Sequence, residues 1–234
     1  MAVAHDAGSE SAVSASTASF SWTHTPSGTP RSALVFVLSI QSTGDDTGVT
    51  YGGTAMALVA GGEANDTATE QGTVRTYFLD NVAAGAQTVE VTRVNDATQM
   101  MGIAATQTAA GATQVGPTIV LLEENGTYAE QSVDDGSPGT ASVRYVAGYY
   151  GGATPAPVGA STTLVHVHDF TAFGWTVGRE TTAGQGARNV GLTQATADDR
   201  AGVHLAVREV PPFEPALIAG AYQPEPIDQQ AARL

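Results

Sequence analysis

The most regular patterning runs from Gly48 to Val94. It reads GVTYGGTAMALV, then a polar interval, then GTVRTYFLDNVAAGAQTVEVTRV. Side chains alternate across a strand at period 2. That rule puts Val74, Thr76 and Phe78 on one face and Arg75, Tyr77 and Leu79 on the other. Val89 and Val91 repeat the pattern, with Thr88, Glu90 and Thr92 opposite. Asp80-Asn81 and Ala83-Ala84-Gly85-Ala86 supply the turn between these two strands. Gly52-Gly53, set between apolar runs, is a hairpin signal.

Upstream, Phe20, Trp22 and His24 alternate with Ser19, Ser21 and Thr23, which predicts a strand with one buried face. The run ALVFVLSI from Ala33 to Ile40 is nearly continuous apolar and predicts a central strand covered on both faces. Downstream, shorter signals predict strands over 99–106, 117–122, 128–133, 141–150, 164–177, 189–194 and 203–210. Residues 61–72 and 109–116 read as loops, and DDGSPG at 134–139 as a turn. Residues 193–201 permit a helix but carry no apolar stripe. Roughly a dozen short strands without a convincing helix predict an all-β chain, a sandwich or a barrel.

The two ends break the rhythm. Residues 1–16 are Ala/Ser-rich and aperiodic, and are expected to form a flexible N-terminal arm or one ordered by a partner. The sandwich domain is expected over 17–210. Beyond it, Pro211, Pro212, Pro215, Pro224 and Pro226 predict an extended Pro-rich C-terminal tail over 211–234, because proline cannot sit in a central strand. Phe213, Leu217, Ile218, Tyr222 and Ile227 are large apolar residues of that tail and its candidate assembly contacts.

Composition narrows the function. The chain has 234 residues, enough for a real core without staples. It has no cysteine, so disulfides and thiolate chemistry are absent. It has no lysine; its nine cations are all arginine, set against 23 acidic residues for a net charge of −14. Phosphate backbones and anionic membranes bind through clustered Lys and Arg, and these arginines are scattered singly, so neither nucleic acid nor a membrane is expected as a partner. The N-terminus lacks the basic and apolar regions of a secretory signal, and no run approaches the roughly 18 apolar residues of a membrane-spanning helix.

Chemistry-bearing residues are few. His166 and His168 lie two apart, so both imidazoles would face one metal from one strand face, with His24 or His204 as a third ligand. The His-x-His of metal-binding cupins is followed at four or five residues by Glu, whereas this chain has Ala172 and Phe173 there. The competing reading puts both histidines on the solvent face, with Val165 and Val167 inward. Three acidic pairs, Asp45-Asp46, Asp134-Asp135 and Asp198-Asp199, lack the alternation of a calcium loop and read as solvated turns. G-x-S-x-G, phosphate-cradling and dinucleotide motifs are all missing. Tyr149, Tyr150 and Trp175 form a possible sugar-stacking platform beside Gly-rich loops; the competing reading is core for the tryptophan, with one of the two tyrosines outward.

The series SWTHT, SALVFVLSI, GVTYGGTAMALV and VRTYFLDNVAAGAQTVEVT resembles phage and prophage virion proteins of the concanavalin-like jelly-roll type. The likeness spans about 17–210 and is strongest over 17–94. It implies a jelly-roll-like antiparallel β-sandwich and carries no catalytic site or cofactor. The expected role is therefore a non-enzymatic structural protein on the exterior of a tailed-phage virion, either capsid decoration or minor tail protein. The expected partners are major capsid or tail proteins, with the chain homo-oligomeric or lattice-bound. Assembly in the host cytoplasm and release by lysis would remove the need for a signal. The alternatives are a carbohydrate-binding module for cell-surface glycans and a metal-dependent enzyme centred on His166 and His168.

Overall fold

The structure is a computed structural model that describes residues 2–15, 19–40, 47–65, 72–93, 99–126, 131–135, 141–151, 156–157, 161–169, 173–193 and 198–210. The first half forms β1 (Ala4–Glu10), β2 (Ser14–Ala15), β3 (Ser19–His24), β4 (Ser32–Ile40), β5 (Thr47–Tyr51), β6 (Thr54–Ala55), β7 (Ala57–Asn65), β8 (Gly72–Asp80), β9 (Gln87–Arg93) and β10 (Gln99–Thr108). The second half forms β11 (Thr113–Gly126), β12 (Gln131–Asp134), β13 (Val143–Gly151), β14 (Ala156–Pro157), β15 (Thr162–Asp169), β16 (Phe173–Glu180), β17 (Ala187–Val190), β18 (Leu192–Thr193) and β19 (Asp198–Glu209). The chain is all-β, as its patterning predicts, and among the described residues no helix forms.

Three antiparallel sheets stack on one another. The central sheet has the order β1-β10-β4-β8-β7, with β2 beside β10. One outer sheet is β3-β9-β5-β6, and the other is β11-β19-β13-β16-β15. Two ribbons, β12–β17 and β14–β18, complete the pairing. The first half of the chain thus builds the central sheet and one cover, and the second half builds the other cover.

β4 shows why the stack forms. Its Leu34, Phe36, Leu38 and Ile40 enter a core shared with Tyr145, Trp175 and Leu205 of the second-half sheet. Its Ala33, Val35 and Val37 enter a second core with Val89, Val91 and Tyr51. All nine residues are buried, as expected of a near-continuous apolar run. β8 alternates as expected, sending Val74 and Phe78 to the first core and Tyr77 and Leu79 to the second. In β9, Val89 and Val91 are inward and Thr88, Glu90 and Thr92 exposed. A third, smaller core of Val133, Val146, Val190, Leu192 and Ala206 lies on the far side of the second-half sheet.

The turns follow their chemistry. Gly52 and Gly53 both have positive φ and close a two-residue hairpin between Tyr51 and Thr54. Among the described residues, Asn81, at φ 62, is the non-glycine residue in the left-handed region, where a short polar side chain is tolerated.

Three expectations change. Much of the stretch expected to be a flexible arm is an edge strand. β1 pairs with β10 from Ala4↔Thr108 to Glu10↔Ile103, and Val3 is fully buried. Main-chain pairing needs no apolar alternation, so the Ala/Ser-rich sequence gave no strand signal. The loop expected over 109–116 ends early, because β11 begins at Thr113. Thr113 is held there by donating from its backbone N (3.0 Å) and its hydroxyl (2.6 Å) to Asp80 Oδ1. β7 likewise runs on to Asn65 across a bulge, inside the loop expected over 61–72. In the helix-permissive stretch, β18 ends at Thr193 and β19 begins at Asp198.

Candidate functional site

The aromatic platform is not at the surface. Tyr149, Tyr150 and Trp175 are at most 1% exposed. Tyr149 and Trp175 belong to the core between the central and second-half sheets. Tyr150 lies on the opposite face of β13, over Gly174, where a Cβ would run into its ring. Both tyrosines are therefore inward, and none of the three offers a face for a sugar to stack on. Alternation predicts that one neighbour points to water only when one sheet face is wet, and both faces of β13 are covered.

His166 and His168 do share a face, on the side of the first core, and both are half-buried. A bulge between Leu164 and His166 resets the parity of β15. His166 then pairs with Val177 and His168 with Trp175, both in the first core. The rings stack at 6.3 Å, and His168 lies 6.2 Å from the Trp175 ring. His166 Nδ1 is 3.2 Å from Glu10 Oε2 of β1, closing the seam between the two sheets. Burial lowers the His166 pKa, opposed by Glu10 and reinforced by His168. Among the described residues, no group of three or more His, Asp or Glu converges as a metal site.

The other histidines do not join this pair. His24 is buried in a directed chain of hydrogen bonds. Trp22 Nε1 donates to Ser9 Oγ (3.0 Å), and Ser9 donates to His24 Nδ1 (2.7 Å). His24 Nε2 donates to Thr106 Oγ1 (3.1 Å), which donates to Asp6 Oδ2 (3.1 Å). Burial holds His24 below its ordinary pKa. Serine, histidine and aspartate thus come together, though nothing in their sequence spacing announces it. The chain ties β1 to β3 and β10 and works as a clasp on the edge strand.

His5 makes a second clasp. Gln107 Nε2 donates to Tyr145 Oη (3.0 Å), leaving the phenol proton for His5 Nδ1 (2.9 Å). Burial lowers the His5 pKa to about 4 and raises that of Tyr145.

The acidic pairs divide. Asp45-Asp46 lies outside the described residues, as do the side chains of Asp198-Asp199. Asp135, expected as a solvated turn residue, is fully buried. It accepts from Ser142 Oγ (2.8 Å) and lies 3.5 Å from Arg144. Arg144, also fully buried, donates to Glu180 Oε1 (3.0 Å) and to the carbonyls of Val133 (2.9 Å), Gly184 (3.1 Å) and Gly186. Arg188 donates to Glu180 Oε2 (3.1 Å). Burial raises the Glu180 pKa, with Arg144 and Arg188 opposing it. This node joins β13 and β16 to the β12–β17 ribbon.

A groove of about 220 Å³ opens between β7, β8 and β11, lined by Ala57, Leu58, Val59, Ala60, Phe78, Val115 and Gly116. That volume falls below the roughly 300–1,000 Å³ of small-molecule pockets, so the groove suits a side chain or two. Leu58 on its wall is 49% exposed, and Val120 and Leu122 further along β11 are 40% and 53% exposed. Thr118 Oγ1 donates to the Ala60 carbonyl (3.2 Å), fixing β7 against β11. Period-2 reading missed this surface, because it cannot tell a strand's core face from a bare one. Phe213, Leu217, Ile218, Tyr222 and Ile227, the expected assembly contacts, lie outside the described residues.

Comparison with protein-family models, with curated proteins and with solved structures found no match.

Proposed function

We propose that this chain is a non-enzymatic structural protein on the exterior of a tailed-phage virion, built to be held by neighbouring proteins. One observation carries the reading. His5, His24 and Asp135 are spent on internal clasps and His204 is fully buried, while Leu58 on β7 and Val120 and Leu122 on β11 are exposed. An apolar groove with an exposed leucine on its wall favours protein contact. The resemblance over about residues 17–210, strongest over 17–94, supplies the phage context, and it alone supplies the jelly-roll connectivity. The acidic, lysine-free composition keeps such a chain off nucleic acid while it assembles. Major capsid or tail proteins are the partners this reading calls for. The glycan alternative loses the three residues on which it was built.

The test is quantitative mass spectrometry of particles purified from the source culture. The expected result is a fixed stoichiometry: many copies per particle for decoration, or a few for a tail part. Absence of the chain from particles would overturn the reading.

A further inference from the structure

We propose that β1 is an acid-released strand: protons on His5, His24 and His166 free it from β10 while the rest of the stack stays folded.

Little apolar burial holds β1 in place. It is an edge strand of the central sheet, paired with β10 on one side. Its sequence, AHDAGSE, has no apolar side chain larger than alanine, and the fully buried Val3 lies just before it. Main-chain pairing and polar clasps therefore do most of the holding. Three of those clasps involve an imidazole. His5 reaches Tyr145 of β13, Ser9 meets His24 of β3, and Glu10 meets His166 of β15.

Hydrogen-bond direction requires these rings to be neutral. Ser32 Oγ donates to Gln107 Oε1 (3.0 Å) and Gln107 Nε2 donates to the Ala105 carbonyl (2.8 Å), which orients the amide. Gln107 Nε2 also donates to Tyr145 Oη, so the phenol proton goes to His5 Nδ1. A proton on that nitrogen would leave the buried Tyr145 hydroxyl without its acceptor. Ser9 accepts from Trp22 Nε1 and gives its own proton to His24 Nδ1, while His24 Nε2 serves Thr106. A proton on His24 Nδ1 would turn the Ser9 hydroxyl away. His166 Nδ1 faces Glu10, and its Nε2 is buried without a hydrogen-bond partner. A second proton on this ring would find no acceptor at Nε2.

Burial disfavours a charge on all three rings. At His5, Arg179 of β16 and His24 add repulsion, and Asp6 opposes them. Asp6 also attracts a proton to His24, which lies 5.9 Å from the Tyr51 ring of β5. Glu10 attracts a proton to His166 and His168 repels it. Each ring ends below its ordinary pKa, so acid acts on three points of one strand in one direction.

Release has a defined end. Ser11 N–H donates to the Gly102 carbonyl (2.9 Å), and Ser11 Oγ accepts from Gly102 N–H (3.0 Å). Neither bond involves a titratable group, so the chain stays on β10 from Ser11 onward. The freed edge of β10 then presents bare N–H and C=O groups, a template for another strand.

The absence of cysteine makes the test clean. Single-cysteine full-length variants are reacted with a dipyridyl disulfide, which labels thiols even in acid. Val3→Cys reports on β1 and Ala33→Cys on the core of the central sheet. Thr92→Cys, on the exposed face of β9, corrects for the reagent's own pH dependence. Between pH about 7.5 and about 4.5, His5 alone shifts the release equilibrium by roughly 50–100-fold. The expected result is a corrected Val3→Cys rate that rises at least ten-fold, with Ala33→Cys still protected. Adding His5→Gln, His24→Gln and His166→Gln should cut that rise at least three-fold. Should these variants unfold by circular dichroism, amide hydrogen exchange over residues 4–10 of the unaltered chain, corrected for intrinsic pH effects, gives the same readout, with His5→Gln alone as its control. A Val3→Cys rate that does not rise overturns the proposal. So does a rise shared by Ala33→Cys, since acid would then be opening the whole stack. A rise undiminished by loss of the histidines overturns it as well.

Discussion

His204 sits at the centre of the second-half sheet, fully buried, and neither ring nitrogen has a hydrogen-bond partner. Desolvation lowers its pKa to about 4, so it is neutral in the folded protein. His5 is lowered to about 4 as well, and His24 is lowered by burial. A histidine whose folded pKa is depressed contributes stability above its unfolded pKa and loses it as pH falls toward the folded value. The protein is therefore expected to lose stability between pH 6.5 and about 4, measurable as a falling Tm. His204 alone accounts for a loss of about 3 kcal/mol across that range. His204→Leu removes an unpaired buried polar group worth about 1–3 kcal/mol, so Tm at neutral pH should rise by on the order of 5 °C and the acid loss should shrink. A lower Tm at neutral pH would show that the imidazole is satisfied after all. His204 was legible as a strand residue but not as an orphan, because its pairing with Val146 and Ile119 is long-range.

At the scale of elements, Arg144 organises the far side of the second-half sheet. Fully buried, it holds Glu180 and Asp135 and three backbone carbonyls from β12 and the loop before β17. Removing one partner of a buried ion pair leaves the other charge uncompensated and costs about 3–5 kcal/mol. Arg144→Ala should lower the urea midpoint accordingly, and a change below about 1 kcal/mol would mean that the node is solvated. Glu180→Gln should cost less, since Arg144 keeps its carbonyl acceptors. The alternating apolar residues of β13 were legible, with Val143, Tyr145 and Ala147 on one face as expected. The charged residue between them was not legible as buried, because alternation assigns Arg144 to water. β1 failed the opposite way: an edge strand held by main-chain bonds and by the His5, Ser9 and Asp6 clasps carries no apolar period.

At the scale of the molecule, the central sheet is packed on both faces, so neither cover can leave without exposing a core. The two tryptophans report on the two interfaces. Trp22 packs on the core between the central sheet and the β3-β9-β5-β6 sheet, and Trp175 lies in the core on the other side. Two-state behaviour requires that different probes give coincident transitions. Within each single-tryptophan variant, Trp22→Phe or Trp175→Phe, fluorescence and far-UV circular dichroism should therefore give coincident urea transitions. Separated midpoints would mean that the two halves of the chain melt as independent units.

By itself the sequence determined the all-β class, the alternation of β3, β8 and β9, the double-sided burial of β4 and the Gly52-Gly53 hairpin. Each is a local consequence of period-2 geometry or turn chemistry. Tertiary structure alone decided that β1 joins the central sheet and that Tyr149, Tyr150 and Arg144 are buried. It also decided that the bulge in β15 turns His166 and His168 inward, and that β7 and β11 leave apolar side chains bare. The physical reason is common to all of these. A strand's pattern reports that it has two faces; whether a face meets water, a core or a partner depends on which sheet the rest of the chain stacks against it.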